Sequence, residues 1–317
     1  MKETILVTGG AGYIGSCFVR SLANSPEFAD YTIRIYDNLY RQRYAGLMDL
    51  PKNGKFEFVE GDILDRLNLD RVMRGAKTVV HLAAVVRSPL SFEHPEWTEQ
   101  VNHWGTASVV ECALRAGVSR FLFASSASVY GVSGLITYKE GDPCQPVGPY
   151  PTSKLRAEEA VKQASERGLK TTTIRIGNVF GNAPAMRFDG FISRSVYLAG
   201  VGRPIVVHGS GDQIRPAIHI EDAAAAIRFC LTHAETENDI INAVSINPTV
   251  NEIATNIQGL APTSKIRYTD QELLTEVSFG VDSSKLLQLG FEPQYDLQQG
   301  VWEMLARFQS LQPAFGR

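Results

Sequence analysis

Long apolar runs are missing from this chain of 317 residues: nothing approaches the ~18 uninterrupted apolar residues of a bilayer-spanning helix. A charge excess is missing as well. Lys and Arg number 31 against 34 Asp and Glu, for a formal net charge of −3. No basic field is present to attract a phosphate backbone or anionic lipid, so neither nucleic acid nor a membrane is an expected partner. Cysteine is scarce, and Cys17, Cys112, Cys144 and Cys230 are scattered without a C-x-x-C pair or a histidine at metal-ligand spacing. That pattern excludes a disulfide framework and a zinc site, and it points to a reduced, cytoplasmic setting. His81, His208 and His219 sit on separate strand-like segments and read as structural histidines, so no metal is expected. Met1 to Thr8 runs straight into a short apolar strand, without the basic region, apolar core and cleavage site of a leader. Internal repeats, low-complexity tracts and flexible linkers are missing too.

What is present is an alternation of short β-rich runs with helical sequence. "TILVT" (Thr4 to Thr8), "TIRIY" (Thr32 to Tyr36), "FEFVE" (Phe56 to Glu60), "TVVHL" (Thr78 to Leu82), "RFLFASS" (Arg120 to Ser126) and "TTTIRI" (Thr171 to Ile176) read as strands. Several are apolar almost throughout, as parallel strands covered on both faces are, and the intervening segments are long enough for crossover helices. The fold class expected is α/β: a doubly wound parallel sheet of Rossmann type with a smaller C-terminal α/β lobe. After Gly177 the rhythm loosens. "GNAPAMRFDG" reads as loop, "RPIVVHG" as a lone strand, "EDAAAAIRFCL" as an apolar helix and "DIINAVS" as a strand; after Trp302 a short helix ends at "LQPAFGR". A cofactor domain over 1–177, with 217–245 returning to it, and a substrate lobe over 178–317 follow from this pattern.

"TGGAGYIG" sets Gly9, Gly12 and Gly15 between the first strand and the apolar helix "CFVRSLA". Glycines permit a tight turn and close backbone approach, so the N–H groups and positive dipole end of that helix can meet a pyrophosphate. Asp37 closes the second strand 22 residues after Gly15, the spacing at which a carboxylate reaches an adenosine ribose. A carboxylate there repels a 2′-phosphate, which favours NAD over NADP; Arg41 and Arg43 nearby read either as greeting such a phosphate or as a solvated loop.

"VGPYPTSKLRAEEA" (Val147 to Ala160) carries Tyr150 four residues ahead of Lys154. A residue before proline avoids the α region and proline suits the first helical position, so Tyr150 is expected at the helix entrance with Pro151 at N1. Ala157, Ala160, Val161 and Ala164 keep helical spacing. Tyr150 and Lys154 then share one face, about 6 Å apart along the axis. Ser126 ends its strand at the carboxyl edge, where open parallel sheets bind ligands. A phenol near pKa ~10 is a poor base at neutral pH, but an adjacent ammonium favours its phenolate. Tyr150 as acid/base, Lys154 as its activator and Ser126 as a hydrogen-bond partner of the reacting hydroxyl form a coherent set.

These residues together resemble the extended short-chain dehydrogenases/reductases of the NAD-dependent nucleotide-sugar epimerase/dehydratase family. The resemblance rests on "TGGAGYIG", Asp37, "GDI" (Gly61 to Ile63), "HLAA" (His81 to Ala84), "VNHWGT" (Val101 to Thr106), "SSASVYG", and Tyr150 with Lys154. It implies NAD as cofactor, held by Gly9, Gly12, Tyr13, Ile14, Gly15, Asp37, Asn38, Asp62, Ile63, Leu82, Ala83, Ala84, Asn102, Tyr150 and Lys154. It further implies a nucleoside-diphosphate sugar as substrate, bound by Ser126, with Asn178 and Arg215 on its diphosphate. A homodimer through a four-helix bundle made of helices Trp97 to Ala116 and Pro151 to Arg167 is also implied.

Within the family, dehydratases and decarboxylases carry an acidic residue or pair just after the catalytic hydroxyl, where this chain has Ala127 and Ser128. Oxidation at C4 followed by hydride return to the opposite face, a 4-epimerisation, is therefore the expected reaction. A 4,6-dehydratase or 4-keto reductase, a regulatory protein that senses NAD, and a reductase of apolar carbonyl compounds are the alternatives. The chain departs from the family at Pro216 and Ala217, at His103 and Trp104, at Val85, Val86 and Arg87, and in "EVSFGVDSSK", which lacks a frequent second phosphate-binding arginine. Those departures leave the base and the sugar open.

Overall fold

In a computed structural model, residues 3–86, 88–131, 137–270 and 277–308 are described, with backbone alone for 88–90. Arg87 and the tail "LQPAFGR" lie outside the described residues. Seven parallel strands form one sheet, in the order Asp239–Ala243, Lys170–Ile176, Arg120–Ser126, Ala76–His81, Thr4–Thr8, Thr32–Asp37 and Lys55–Glu60. Chain order reverses between Thr4–Thr8 and Ala76–His81. The carboxyl ends of these two strands diverge into separate crossovers, which opens a crevice.

The apolar character of the strands follows from burial on both faces. Ile5 and Val7 enter one core with Ile33, Ile35, Val80 and Leu122, whereas Leu6 between them enters another with Tyr36, Val79, Phe121 and Phe123. This is the period-2 alternation of a strand. The first core is covered by helices Tyr13–Ala23 and Ile220–Thr232, through Phe18, Val19 and Leu22 on one and Ala223, Ala224 and Ile227 on the other. The second is covered by Thr106–Ala116 and Pro149–Glu166, through Val109, Val110, Ala157 and Val161.

Between the strands Lys170–Ile176 and Asp239–Ala243 the chain builds much of a third core, in which Phe180, Ile192, Val196, Ile205 and Val207 meet Ile253, Ile257 and Met304. The helices Val250–Leu260 and Leu297–Ala306 each begin with a capping box, Thr249 with Glu252 and Asp296 with Gln299. Here the structure corrects the sequence reading: Ile205–His208 is not a lone strand, because Ile266–Thr269 pairs with it in parallel. A second short parallel pair joins Asn178–Phe180 to Ala217–His219.

The helix expected from Trp97 to Ala116 is a composite. An α-helical turn, Pro95–Glu99, passes through a π-helical stretch, Gln100–Gly105, into Thr106–Ala116, which ends on Gly117 at φ 70°. Left-handed backbone at that position stops the helix and favours glycine. Among the described residues no helix is long and apolar enough to cross a membrane.

Candidate active site

The crevice is a groove of 440 Å³. Gly9, Gly12, Tyr13, Ile14 and Gly15 line it, as do Asp37, Asn38, Asp62 and Ile63, and also Leu82, Ala83 and Ala84. Backbone crowding explains the glycines. A Cβ on Gly15 would lie 2.2 Å from the Gly9 carbonyl oxygen. One on Gly9, whose φ is +71°, would lie 2.6 Å from the Ala83 nitrogen. The helix Tyr13–Ala23 starts from Gly12 without a side-chain cap and without an acidic residue in its first turn. Its first N–H groups and dipole therefore point at whatever anion enters the groove.

Asp37 is fixed by two backbone amides: Ala11 donates to Oδ2 at 3.0 Å and Leu39 to Oδ1 at 2.9 Å. Burial raises its pKa, and these two bonds and Arg43 oppose the rise. Asp62 accepts from Asn38 Nδ2 at 2.8 Å and from the Leu64 amide at 2.8 Å, while its carbonyl accepts from the Tyr36 hydroxyl at 2.7 Å. A close-packed glycine turn, an uncapped helix end and a carboxylate held at the end of the second strand fit a dinucleotide.

Tyr150 is the second residue of its helix, where the sequence reading put it at the entrance, just before the first helical residue. The helix is Pro149–Glu166, entered from Gly148 at φ 90°, so that Pro149 rather than Pro151 takes the first position. N–H groups of a first helical turn have no intrahelical partner, and both prolines are accommodated there. The Tyr150 hydroxyl lies close enough to Ser126 for the serine to favour its phenolate. The Ser126 hydroxyl lies 2.9 Å from Ser128 Oγ and accepts from the Ser128 amide at 3.2 Å. Burial raises the Tyr150 pKa; Ser126 and the charge of Arg187 oppose it.

Lys154 Nζ donates to the Ala124 carbonyl at 2.6 Å and lies 4.6 Å from the centre of the Phe123 ring. Burial lowers its pKa to about 7, and Glu158 opposes that shift. Asn102, in the π-helical stretch, accepts from the Val85 amide at 2.8 Å and donates to the Val85 carbonyl at 2.9 Å and to Ser153 Oγ at 3.1 Å. It thus joins the groove wall to the residue before Lys154. His81 is buried between Thr8 Oγ1 at 2.6 Å and Thr106 Oγ1 at 3.0 Å, its pKa pushed down to about 3 by burial and by Lys154. His208 bonds Thr269 and His219 bonds Glu303. Among the described residues no cluster has the makings of a metal site.

Asn178 and Arg215 are brought together. Asn178 lies in register with Ala217, two residues after Arg215, and its amide group donates to the Pro216 carbonyl at 3.0 Å. Arg215 donates to the Val277 carbonyl at 2.6 Å. They do not line the groove, and neither do Asn102, Ser126, Tyr150 or Lys154. Among the groove residues that the sequence reading did not assign to the site are five from "AMRFDG" and its surroundings, Met186, Arg187, Phe188, Asp189 and Arg194, besides Tyr36, Tyr40 and Trp97. The one signal was an arginine two residues before an aspartate in a glycine-bounded loop.

Sheet topology and groove define a dinucleotide-binding α/β protein. The chain belongs to the NAD dependent epimerase/dehydratase family, whose sequence model matches residues 5–243, and its cofactor is NAD. It is 30% identical to the low-salt glycan biosynthesis protein Agl12 of Haloferax volcanii, over 94% of this chain and 96% of that protein. A putative UDP-glucose 4-epimerase of Methanocaldococcus jannaschii is 29% identical over 94% and 95% of the two chains. The crystal structure of DesIV, a dTDP-glucose 4,6-dehydratase from Streptomyces venezuelae with NAD and TYD bound, is similar with a TM-score of 0.84. It is 26% identical and covers 96% of each chain.

Proposed function

We propose that the chain is a nucleotide-sugar 4-epimerase acting on an NDP-hexose or hexuronate. The observation that carries this reading is the pair of residues after Ser126. Ala127 is buried and Ser128 is turned back onto the Ser126 hydroxyl, so no carboxylate stands at those two positions to remove a proton from C5 or to promote loss of water. A 4-ketose formed there has return of the hydride as its simplest fate. Relatives with epimerase and with dehydratase names are equally similar at this level of identity, which is why the local chemistry decides.

When bound, NAD takes the C4 hydride and gives it back. Tyr150 accepts the C4 hydroxyl proton as that hydride leaves and restores it afterwards, and Ser126 orients the hydroxyl by a hydrogen bond. Lys154, fixed on the Ala124 carbonyl, contributes positive charge and anchors the cofactor ribose, supported by Asn102. Gly9, Gly12, Tyr13, Ile14 and Gly15 receive the cofactor diphosphate, Asp37 and Asn38 the adenosine ribose, and Asp62 and Ile63 the adenine, with Leu82, Ala83 and Ala84 as the facing wall. Asn178 and Arg215 hold the substrate diphosphate, for which the planar guanidinium suits two oxygens at once. Residues 1–177 with 217–245 serve the cofactor and the rest of 178–317 the sugar nucleotide. The assembly is a cytoplasmic homodimer built on the helices Thr106–Ala116 and Pro149–Glu166.

The test is turnover of a panel of UDP-, GDP-, CDP- and dTDP-sugars followed by NMR at the anomeric and C4 protons. A C4-inverted product without added cofactor supports the proposal and names the nucleotide. A 4-keto-6-deoxy product would establish dehydration instead, and silence across the panel would favour a regulatory protein or an apolar carbonyl substrate.

A further inference from the structure

Arg187 has a guanidinium that is only partly used. Its Nε and Nη2 each donate to the Asp189 carboxylate at 2.9 Å, and Nη2 also reaches the Val86 carbonyl at 3.3 Å. Nη1, with two N–H donors, has no hydrogen-bond partner among the described residues. The side chain is 23% exposed, and it lines the groove together with Asp189, Val86 and Arg43. A carboxylate fork on one edge of a guanidinium fixes the plane and direction of the other edge, which is how an arginine is pre-set for an oxyanion.

Its place is given by its contacts: it reaches the Val86 carbonyl and lines the same groove as Gly9, Gly12, Tyr13 and Gly15 of the glycine turn and helix start. Arg43, which also feels Asp37, is held below the usual arginine range by burial and then by Arg187. Tyr150 and Tyr13 feel the same guanidinium. Asp37 lines the groove at the end of the second strand and Tyr13 lines it at the start of the helix that follows the glycine turn, while Tyr150 stands outside the groove lining. Arg187 therefore shares the groove with the glycine turn and helix terminus that would receive the two phosphates of a dinucleotide. Tyr13 also ties this segment down, since its hydroxyl donates to the Gly181 carbonyl at 2.6 Å.

We propose that Arg187, aimed by Asp189, is a diphosphate ligand contributed by the second lobe, which closes over the pyrophosphate of the bound dinucleotide while the glycine turn holds it from the first lobe. The inference rests on the proposed placing of the cofactor diphosphate at the glycine turn. It means that the loop "AMRFDG" has to open before NAD can leave.

Calorimetric titration with ADP-ribose, adenosine and UDP, on wild type, Arg187→Gln, Arg187→Lys and Asp189→Asn, tests this. Arg187→Gln should weaken ADP-ribose by about tenfold or more, the loss of a charge-assisted bond, with a shallower salt dependence. Adenosine and UDP should stay within about twofold of wild type, since adenosine carries no phosphate and UDP belongs to Arg215 and Asn178. Arg187→Lys, which keeps the charge and loses the fork, should fall between and covers the case in which the glutamine variant is poorly folded. Asp189→Asn should weaken ADP-ribose by a smaller factor. Unchanged ADP-ribose affinity in Arg187→Gln would overturn the proposal, as would lost UDP affinity with ADP-ribose retained, which would assign Arg187 to the substrate. Failure of wild type to bind adenosine and ADP-ribose alike would instead remove the cofactor assignment of the groove, and this inference with it.

Discussion

Glu158 lies one turn beyond Lys154 on the helix Pro149–Glu166, and its carboxylate is the group that opposes the effect of burial on that lysine. It is itself anchored. Arg175 donates to it through Nη2 at 2.8 Å and Nε at 3.1 Å, and Ser125 Oγ donates at 2.5 Å. Arg175 also lies over the Tyr130 ring at 4.8 Å, and the Tyr130 hydroxyl donates to Asn242 at 2.7 Å. The network joins the helix that carries Tyr150 and Lys154 to three adjacent strands of the sheet.

Both members of the Glu158–Arg175 pair are buried, at 7% and 4% side-chain exposure. Glu158→Gln leaves a buried guanidinium without its counter-charge, which should cost about 3–5 kcal/mol of stability. Adding Arg175→Gln should recover part of that loss, because the charge left alone is removed with it. Denaturant unfolding of the two single variants and the double variant checks this; strictly additive losses would show that the pair is not coupled.

On the proposed mechanism Tyr150→Phe should abolish turnover while NAD remains bound, since the proposed proton acceptor is lost and the groove residues are untouched. Ser126→Ala should lower kcat by about 10²-fold and move the acidic limb of its pH profile upward. The sign follows from the contact: Ser126 lowers the Tyr150 pKa, so without it the phenolate appears at higher pH. Wild-type turnover in Tyr150→Phe would defeat the acid/base assignment.

Lys154 gives a stability signature that needs no substrate. Its pKa is about 7 in the folded chain against 10.5 as the ordinary value, so between these limits the unfolded chain binds more protons. Stability therefore rises with pH across that window, by at most about 1.4 kcal/mol per pH unit from this group. Relative to Lys154→Met, wild type should gain stability from pH 7 to pH 10. A flat difference between the two unfolding curves would mean that the lysine is not perturbed.

Much of the frame was legible because strands buried on both faces and a glycine turn before a helix are local patterns. Arg120–Ser126 and Thr4–Thr8 agree with their expected limits, Ala76–His81 differs at both ends, and the remaining strands of the main sheet differ by one or two residues at one end. The errors fall where a partner or a backbone angle decides. Ile205–His208 looked alone because its partner, Ile266–Thr269, lies some sixty residues on. The helix start at Pro149 depends on the φ of Gly148, which composition alone leaves open.

The chain's local chemistry determined which groups exist and at what spacing: the glycines that only a bare backbone can fill, Asp37 at the end of its strand, and Tyr150 one turn from Lys154. Tertiary structure alone decided what surrounds them. Arg187 reaches the groove only because the segment after Gly181 folds back against Val86 and Tyr13, and Glu158 acts on Lys154 from inside a pair made with a strand residue 17 positions away. Electric fields and burial depend on distance in space, and distances between remote segments are set by the packing of the sheet and the helices around it rather than by any spacing along the chain.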